Sequence, residues 1–291
     1  VFSRTDKALV RLPDQWFQIN SSDTVAGQPC TTVLLTTPPS KRGLPDLTDE
    51  IFVTMTSPIS SDVEEVANHI STTYLDLPLE LLGDLSKYPV NFTYFDQRDS
   101  LKALEEIAFK SRCALYLDDV GFKMVYLGLK PSLLPITDDH IIERSILRDV
   151  TPVISALKTQ ITGQYKLRYT DLAVDGSEIE RELVLSNNSV EYGVFEETHN
   201  YYVYNDVALV EKSMNFWLQR RSILYRKFTF DLTLEQLDLK PFQGLEFTLD
   251  GTDYEGTVET LEYNADTEQI KVTVHTSQPI DGSSPTNYWS A

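Results

Sequence analysis

The sequence predicts an α+β fold, mainly antiparallel β with barrel-like domains and an inserted helix-plus-sheet module. Three observations lead there. Apolar and polar residues alternate with period two from Arg226 to Thr276, turn residues sit where that alternation stops, and helix-spaced apolar stripes interrupt the strand texture in the stretches 60–130 and 205–221.

In chain order, residues 1–58 read as a β segment, part of a first barrel. Thr32 to Thr36 forms a strand, Pro38 to Gly43 a connector, and Ile51, Val53 and Met55 alternate with Phe52 and Thr54 until Pro58 closes the run. So few strands cannot easily close a core alone, so pairing with strands elsewhere is expected. Residues 59–130 form a helix-plus-hairpin module. Ser61 and Glu64 have capping-box spacing, and Val63, Val66, Ala67, Ile70 and Tyr74 follow on one helical face. A second helix starts after Asp99 or Ser100, with Leu101, Leu104, Ile107 and Ala108 in a stripe. Ala114 to Leu117, the turn Asp118 to Gly121, and Phe122 to Leu127 then make a hairpin against it.

Pro131 and Pro135 lead into a β-barrel-like domain over 131–278. Tyr165, Leu167 and Tyr169 face one way, Asp175-Gly176 turns the chain, and Ile179 to Leu185 returns. Asn205 or Asp206 caps one helix carrying Val207, Val210, Met214 and Trp217, which ends at Arg220-Arg221, cations suited to the negative end of its dipole. The ladders follow: Phe228, Phe230, Leu232 and Leu234, then Leu245, Phe247 and Leu249, and finally Ile270, Val272 and Val274. Between Val258 and Leu261 the alternation changes phase, as one extra residue in a bulge requires. Turns are expected at Lys240 to Gly244, Asp250-Gly251 and Asn264 to Asp266, and residues 279–291 are left as a C-terminal tail.

A chain of 291 residues has room for two or three domains. It starts at Val1 without a charged start and apolar run, so no signal peptide is expected in the sequence as given. No apolar stretch approaches the roughly 20 residues of a membrane helix, so no membrane partner is expected. The formal net charge is −19, from 44 acidic and 25 basic side chains, a balance that opposes tight binding of a phosphate backbone. Cys30 and Cys113 lie in apolar contexts and read as unpaired small hydrophobes.

Chemistry is sparse. His69, His140, His199 and His275 are too scattered for a metal site, and Asp138-Asp139-His140 reads as a hydrated turn or helix start. Asp118-Asp119 and Glu196-Glu197 are nominal carboxylate pairs, read as turn residues and a solvated strand end. No phosphate loop, nucleophile elbow or Cys-His signature is present, so no catalytic, cofactor-binding or metal residue is assigned and no enzyme is expected. Arg220, Arg221, Arg226 and Lys227 are four cations beside Trp217 in an acidic chain. Such a run can bind nucleic acid, complement a neighbouring acidic subunit, or simply end a helix, and these five residues are the candidate subunit-interface set. Tyr192, Tyr201, Tyr202, Tyr204, Tyr225, Tyr254 and Tyr263 suit either a sugar platform or a subunit interface.

Several strings carry a resemblance. Tyr88 to Phe92, Asp99 to Ala108, Ser111 to Tyr116 and Gly121 to Leu127 together resemble the helix-and-hairpin module of bacteriophage tail-hub proteins. Asn188 to Gly193 resembles the short strand and Tyr-Gly pair before the hub helix, and Phe228 to Glu246 resembles a hub barrel strand and its turn, here with Phe242 and Gln243 between Pro241 and Gly244. The resemblance implies a homotrimer at the distal end of a virion tail, joining the tail-tube protein to a central spike or tip protein. It also implies a ring through which genomic DNA passes without specific binding. In such a ring, carboxylates would line the channel and the cations above would meet subunits or tube. The alternatives are a tail-associated cell-wall hydrolase or a host-glycan-binding module.

Overall fold

The computed structural model describes residues 2–5, 8–11, 17–25, 28–35, 51–52, 61–85, 88–90, 99–143, 145–150, 157–166, 180–204 and 206–280. The chain divides into two compact units, Val1–Pro58 with Lys166–Arg181, and Ile59–Tyr165 with Glu182–Ala291.

In the first unit β1 (Phe2–Thr5) pairs antiparallel with β2 (Ala8–Arg11). The long strands β3 (Phe17–Val25) and β4 (Gln28–Leu35) form a separate antiparallel ribbon, with a register shift between Asn20 and Asp23. The expected strand at Thr32 thus begins earlier, at Gln28. Of the expected alternation from Ile51 to Met55, the described part is β5 (Ile51–Phe52), which pairs with β1. The rest of that run, the Pro38 to Gly43 connector, and Leu167 to Ile179 with the Asp175-Gly176 turn lie outside the described residues.

The second unit opens with α1 (Val63–Tyr74). Its cap is Asp62, one residue later than the expected Ser61, and the carboxylate accepts from the Glu64 N–H at 2.8 Å. The Ser61 carbonyl is used instead by the Val90 N–H. Val63, Ala67 and Ile70 are buried, whereas Tyr74 lies outside the expected stripe, exposed and edge-on to His69. Asp99 caps α2 (Ser100–Lys110), accepting from Leu101 and Lys102 N–H groups. Strands β6 (Leu79–Leu82), β7 (Cys113–Leu117) and β8 (Phe122–Tyr126) form a sheet with β8 central. The β7–β8 hairpin turns where Asp118 accepts from the Val120 and Gly121 N–H groups. The parallel partner β6 was not expected, since Leu79 to Leu82 carries no turn signal of its own.

A six-stranded sheet holds the C-terminal core. Its order is β10 (Leu147–Val150), β14 (Tyr225–Leu232), β17 (Gln269–Pro279), β16 (Thr252–Asn264), β15 (Gly244–Leu249) and β9 (Leu133–Ile136). All pairs are antiparallel except β9 with β15. One face packs Phe228, Phe230, Leu232, Phe247, Val258, Val272 and Val274 into a buried cluster. Strands β14 and β15 are three positions apart, about 14 Å if the sheet were flat. Yet the Phe228 and Phe247 rings meet edge to face at 5.5 Å, so the sheet curls strongly.

The sheet does not close: among the described residues β9 and β10 remain its two edges. Pro135 in β9 lacks an N–H donor, which suits an edge and no interior position. The expected barrel is therefore an open, curled sheet. The phase change is a bulge between Val258 and Thr260 that leaves Glu259 as the extra residue. Asp250-Gly251 makes the β15–β16 turn with both residues in the left-handed region. Leu234 is not in the ladder; β14 ends at Leu232 and Leu234–Gln236 is a 3-10 turn.

A further sheet has β11 (Gln160–Lys166) between β12 (Glu180–Ser186) and β13 (Glu196–Asn200), all in the second unit except Lys166, Glu180 and Arg181; the second unit also holds the single turn α3 (Ser189–Tyr192) and α4 (Val207–Arg221). Among the described residues no helix is long and apolar enough to cross a membrane.

Candidate functional site

The five residues singled out from sequence lie on α4 and the start of β14. Asp206 caps α4, its carboxylate accepting from the Ala208 N–H at 2.9 Å. The helix is buried on more than one side: Val210 and Met214 face the core as expected, but so do Phe216 and Leu218, while Val207 is exposed. Two flanks of packing keep Trp217 half-buried.

Every one of the five has a partner within the chain. The Trp217 indole donates to the Phe109 carbonyl at 2.9 Å and stacks on the Phe109 ring at 4.5 Å, with planes 10° apart. Arg220 donates to the Leu127 carbonyl at 3.0 Å and sits 4.2 Å from the Phe216 ring. Arg221 donates to Glu197 Oε2 at 2.6 Å, with its guanidinium 5.4 Å from Phe109 and 5.3 Å from Trp217. Arg226 donates to the Tyr254 hydroxyl at 3.3 Å, and Lys227 pairs with Glu259, the bulge residue, at 2.6 Å. Trp217, Arg220 and Arg221 thus tie α4 to α2, to the residue that follows β8 and to β13, while Arg226 and Lys227 tie β14 to β16.

Two residues at that seam were missed or misread from sequence. Glu197 is no solvated strand end: it lies between Arg221 and His199, whose Nε2 is 3.2 Å from the carboxylate. Burial pushes the Glu197 carboxyl up, but Arg221 and His199 together outweigh it and hold the group below its usual range. His199 is tilted against Phe109 at 5.0 Å, and burial, more than its pairing with Glu197, holds its pKa down. The second is Arg112, just after α2 and 4% exposed, with φ of 61°. Its guanidinium lies 5.0 Å from the Tyr88 ring and 5.3 Å from both Tyr126 and Phe216, and donates to the Tyr126 hydroxyl. Nothing in the string Ser111-Arg112-Cys113 marks this, because the rings around it come from three distant segments.

Trp217→Phe tests the seam directly. It keeps a stacking ring but removes the indole donor, leaving the Phe109 carbonyl without that partner. The expected loss is about 1 kcal/mol of unfolding free energy by denaturant titration. Loss of a secondary-structure signal at 25 °C would instead mean that the whole helix depends on this contact.

The other candidates stay apart. Asp118 forms the hairpin turn and pairs with Lys123, as a turn residue should. Asp138–His140 is a 3-10 turn in which His140 Nδ1 accepts from the Thr137 N–H. Among the described residues no group of three or more His, Cys, Asp or Glu side chains is placed to hold a metal ion. Tyr201, Tyr204, Tyr225 and Tyr254 are buried, so they do not form an open stacking platform with the exposed Tyr263. Cys113 is buried and free. A shallow polar depression of about 560 Å³ lies beside the β16–β17 turn, crossed by the cross-strand row Asp231, Lys271 and Glu262.

No protein-family model and no curated protein sequence matches the chain. Its fold is similar to that of a component in the virion of a native gene transfer agent particle, at 12% identity and a TM-score of 0.56, over 79% of this chain and 49% of that one. It is also similar to the tail protein from Neisseria meningitidis MC58, at 12% identity and a TM-score of 0.52, over 82% of this chain and 72% of that one. The prophage tail protein gp18 from Listeria monocytogenes EGD-e aligns at 14% identity with a TM-score of 0.47, over 79% and 70%. The chain thus spans about half the length of the gene transfer agent component. At such identities the likeness is one of fold.

Proposed function

We propose that this chain is a structural protein of a phage-type tail, a hub or adaptor at the distal end that joins the tail tube to a central spike or tip. The observation that carries the reading is the fold, similar over 79% and 82% of the chain to a virion component and a tail protein. The described side chains agree with it in kind. Cations, carboxylates and aromatic rings around α4 are engaged in holding packed elements together, as a load-transmitting part requires, and do not converge on an open cleft.

In this role the net charge of −19 has a use. A ring of such chains presents a carboxylate-lined channel that repels DNA and lets it slide. Arg226 and Lys227, at the start of β14 and in register with Val150 and Asp149 of the edge strand β10, are in this reading the cations that meet a neighbouring subunit or the tube. No reaction is assigned to the chain in this reading. Three-dimensional imaging of particles that contain the protein, with a small fused tag on its C-terminus, tests it. The expected result is tag density in symmetric copies around the axis at the far end of the tail. Tag density on the capsid, or protein recovered only free of particles, would overturn the proposal.

A further inference from the structure

The six-stranded sheet curls toward the side on which Phe228 and Phe247 meet, so its opposite face is convex across the strands and holds a ligand poorly. One place on that face is nevertheless hollow. The depression of about 560 Å³ beside the β16–β17 turn is lined by Thr229, Asp231, Lys271 and Glu262, which alternate along their strands with the core residues Phe228, Phe230, Ile270, Val272 and Leu261. Two hydrogen-bonded loops flank this floor. On one side the Ser145 hydroxyl donates to the Ile142 carbonyl at 2.7 Å and accepts from the Asp231 N–H at 3.0 Å. On the other, Asn264 Oδ1 accepts from the Asp266 and Thr267 N–H groups at 3.0 and 3.3 Å. The hollow is therefore built into the fold, and every residue that lines it is among the described ones.

Its floor has hydrogen-bonding capacity to spare. Asp231, Lys271 and Glu262 lie side by side on β14, β17 and β16. Opposite charges on neighbouring strands commonly close into ion pairs, and elsewhere in this unit Lys227 with Glu259 and Lys130 with Glu255 do so, at 2.6 and 2.5 Å. Among the described residues no ion pair or hydrogen bond joins the Lys271 ammonium to the carboxylate on either side of it.

The signs of these groups decide what they can hold. Three carboxylates, Asp231, Glu262 and Asp266, against one ammonium repel phosphates and acidic sugars. Among the described residues they do not converge as a metal ion requires. The lining is too polar for a lipid, although Leu147 and Tyr263, 63% and 58% exposed, give it a small apolar part. The ligand that suits such a surface donates to carboxylates, accepts from an ammonium and carries no negative charge. Hydroxyl groups on a carbon ring meet all three conditions, since each donates and accepts.

We infer that the depression is a binding site for a neutral saccharide, with Asp231 and Glu262 accepting from its hydroxyls and Lys271 donating to its oxygens. The inference goes beyond the tail role, and each can fail without the other.

The test titrates the full chain with neutral tri- and tetrasaccharides of glucose, galactose and N-acetylglucosamine, following backbone amide resonances by NMR. Saturable shifts at Asp231, Glu262, Gln269 and Lys271 are expected with at least one of these probes at millimolar concentrations, and none with inorganic phosphate or a sialylated trisaccharide. The double variant Asp231→Asn, Glu262→Gln is expected to weaken binding by about tenfold or more. Glu246→Gln, on the same sheet but outside the hollow, is expected to leave binding unchanged. Urea titration shows whether each variant is folded, and should the double variant not fold, the wild-type shifts decide. No saturable shift from any neutral probe, tighter binding of an acidic one, or equal weakening by Glu246→Gln would overturn the inference.

Discussion

Arg112→Ala is expected to destabilise the second unit by about 3 kcal/mol or more, through the cavity it leaves and the hydroxyl it strands. The guanidinium fills the space between Tyr88, Tyr126 and Phe216, and Tyr126 loses its donor when the group is removed. A second effect sets the sign of an unusual comparison. Arg112 occupies the left-handed position that follows α2, where its N–H reaches the Phe109 carbonyl and glycine is the common choice. Alanine keeps the backbone cost of that conformation and loses the contacts. Arg112→Gly loses the contacts but relieves the backbone, so it should be milder than alanine by about 1 kcal/mol. Elsewhere in helices and strands the order runs the other way. Urea titration of both variants reads the difference, and a glycine variant less stable than the alanine one would show that the backbone is not strained there.

The second large effect is a loss of stability in acid, carried by His275 on β17. Burial is the main reason its pKa is pulled down to about 3, with the Lys227 and Arg220 charges adding to it, while the Tyr225 ring lies 5.4 Å away. In the unfolded chain the group titrates near 6.5. Between those values the unfolded state binds the proton and the folded state does not, so stability falls as pH falls. The His275 contribution is whole above pH about 6.5 and is lost progressively toward pH 3, at about 1.4 kcal/mol for each unit of difference. His199, held down in the same direction, adds to the slope just below its ordinary range. His275→Gln should flatten the dependence of unfolding free energy on pH between 6.5 and 4, even if it lowers stability at pH 7. An unchanged slope in that variant would place the acid sensitivity on other groups.

The strand ladders were legible in sequence because each is local. Phe228 to Leu232, Leu245 to Leu249 and Ile270 to Val274 alternate with strict period two, and Asp250-Gly251 has the chemistry of a tight hairpin. Even the bulge at Glu259 shows as a break in phase. Helix caps were read to within one residue: Asp62, and not Ser61, accepts from the Glu64 N–H. What sequence did not disclose depends on distant segments meeting. The parallel strands β6 and β9 pair with β8 and β15 across long intervals, and parallel pairing carries no hairpin signal. The seam at α4 was half legible. The cations and Trp217 stand out as a run, but Glu197, His199 and Phe109 come from other elements and alternate no differently from surface residues. The fold adds what the run of cations could not disclose, the intrachain partners of Arg220 and Arg221.

The pairing of β9 with β15 governs the order in which the chain can mature. Leu133 lies opposite Gly244, 111 positions later, whereas β14 to β17 are joined by short connections. Closing so long an interval is entropically slow, and the contacts that compensate for it do not exist until the C-terminal meander has formed. On the ribosome, Leu133–Ile136 must therefore wait as an unmated strand while more than a hundred residues emerge, and its proline is the feature that keeps it from being claimed by another nascent chain in the meantime.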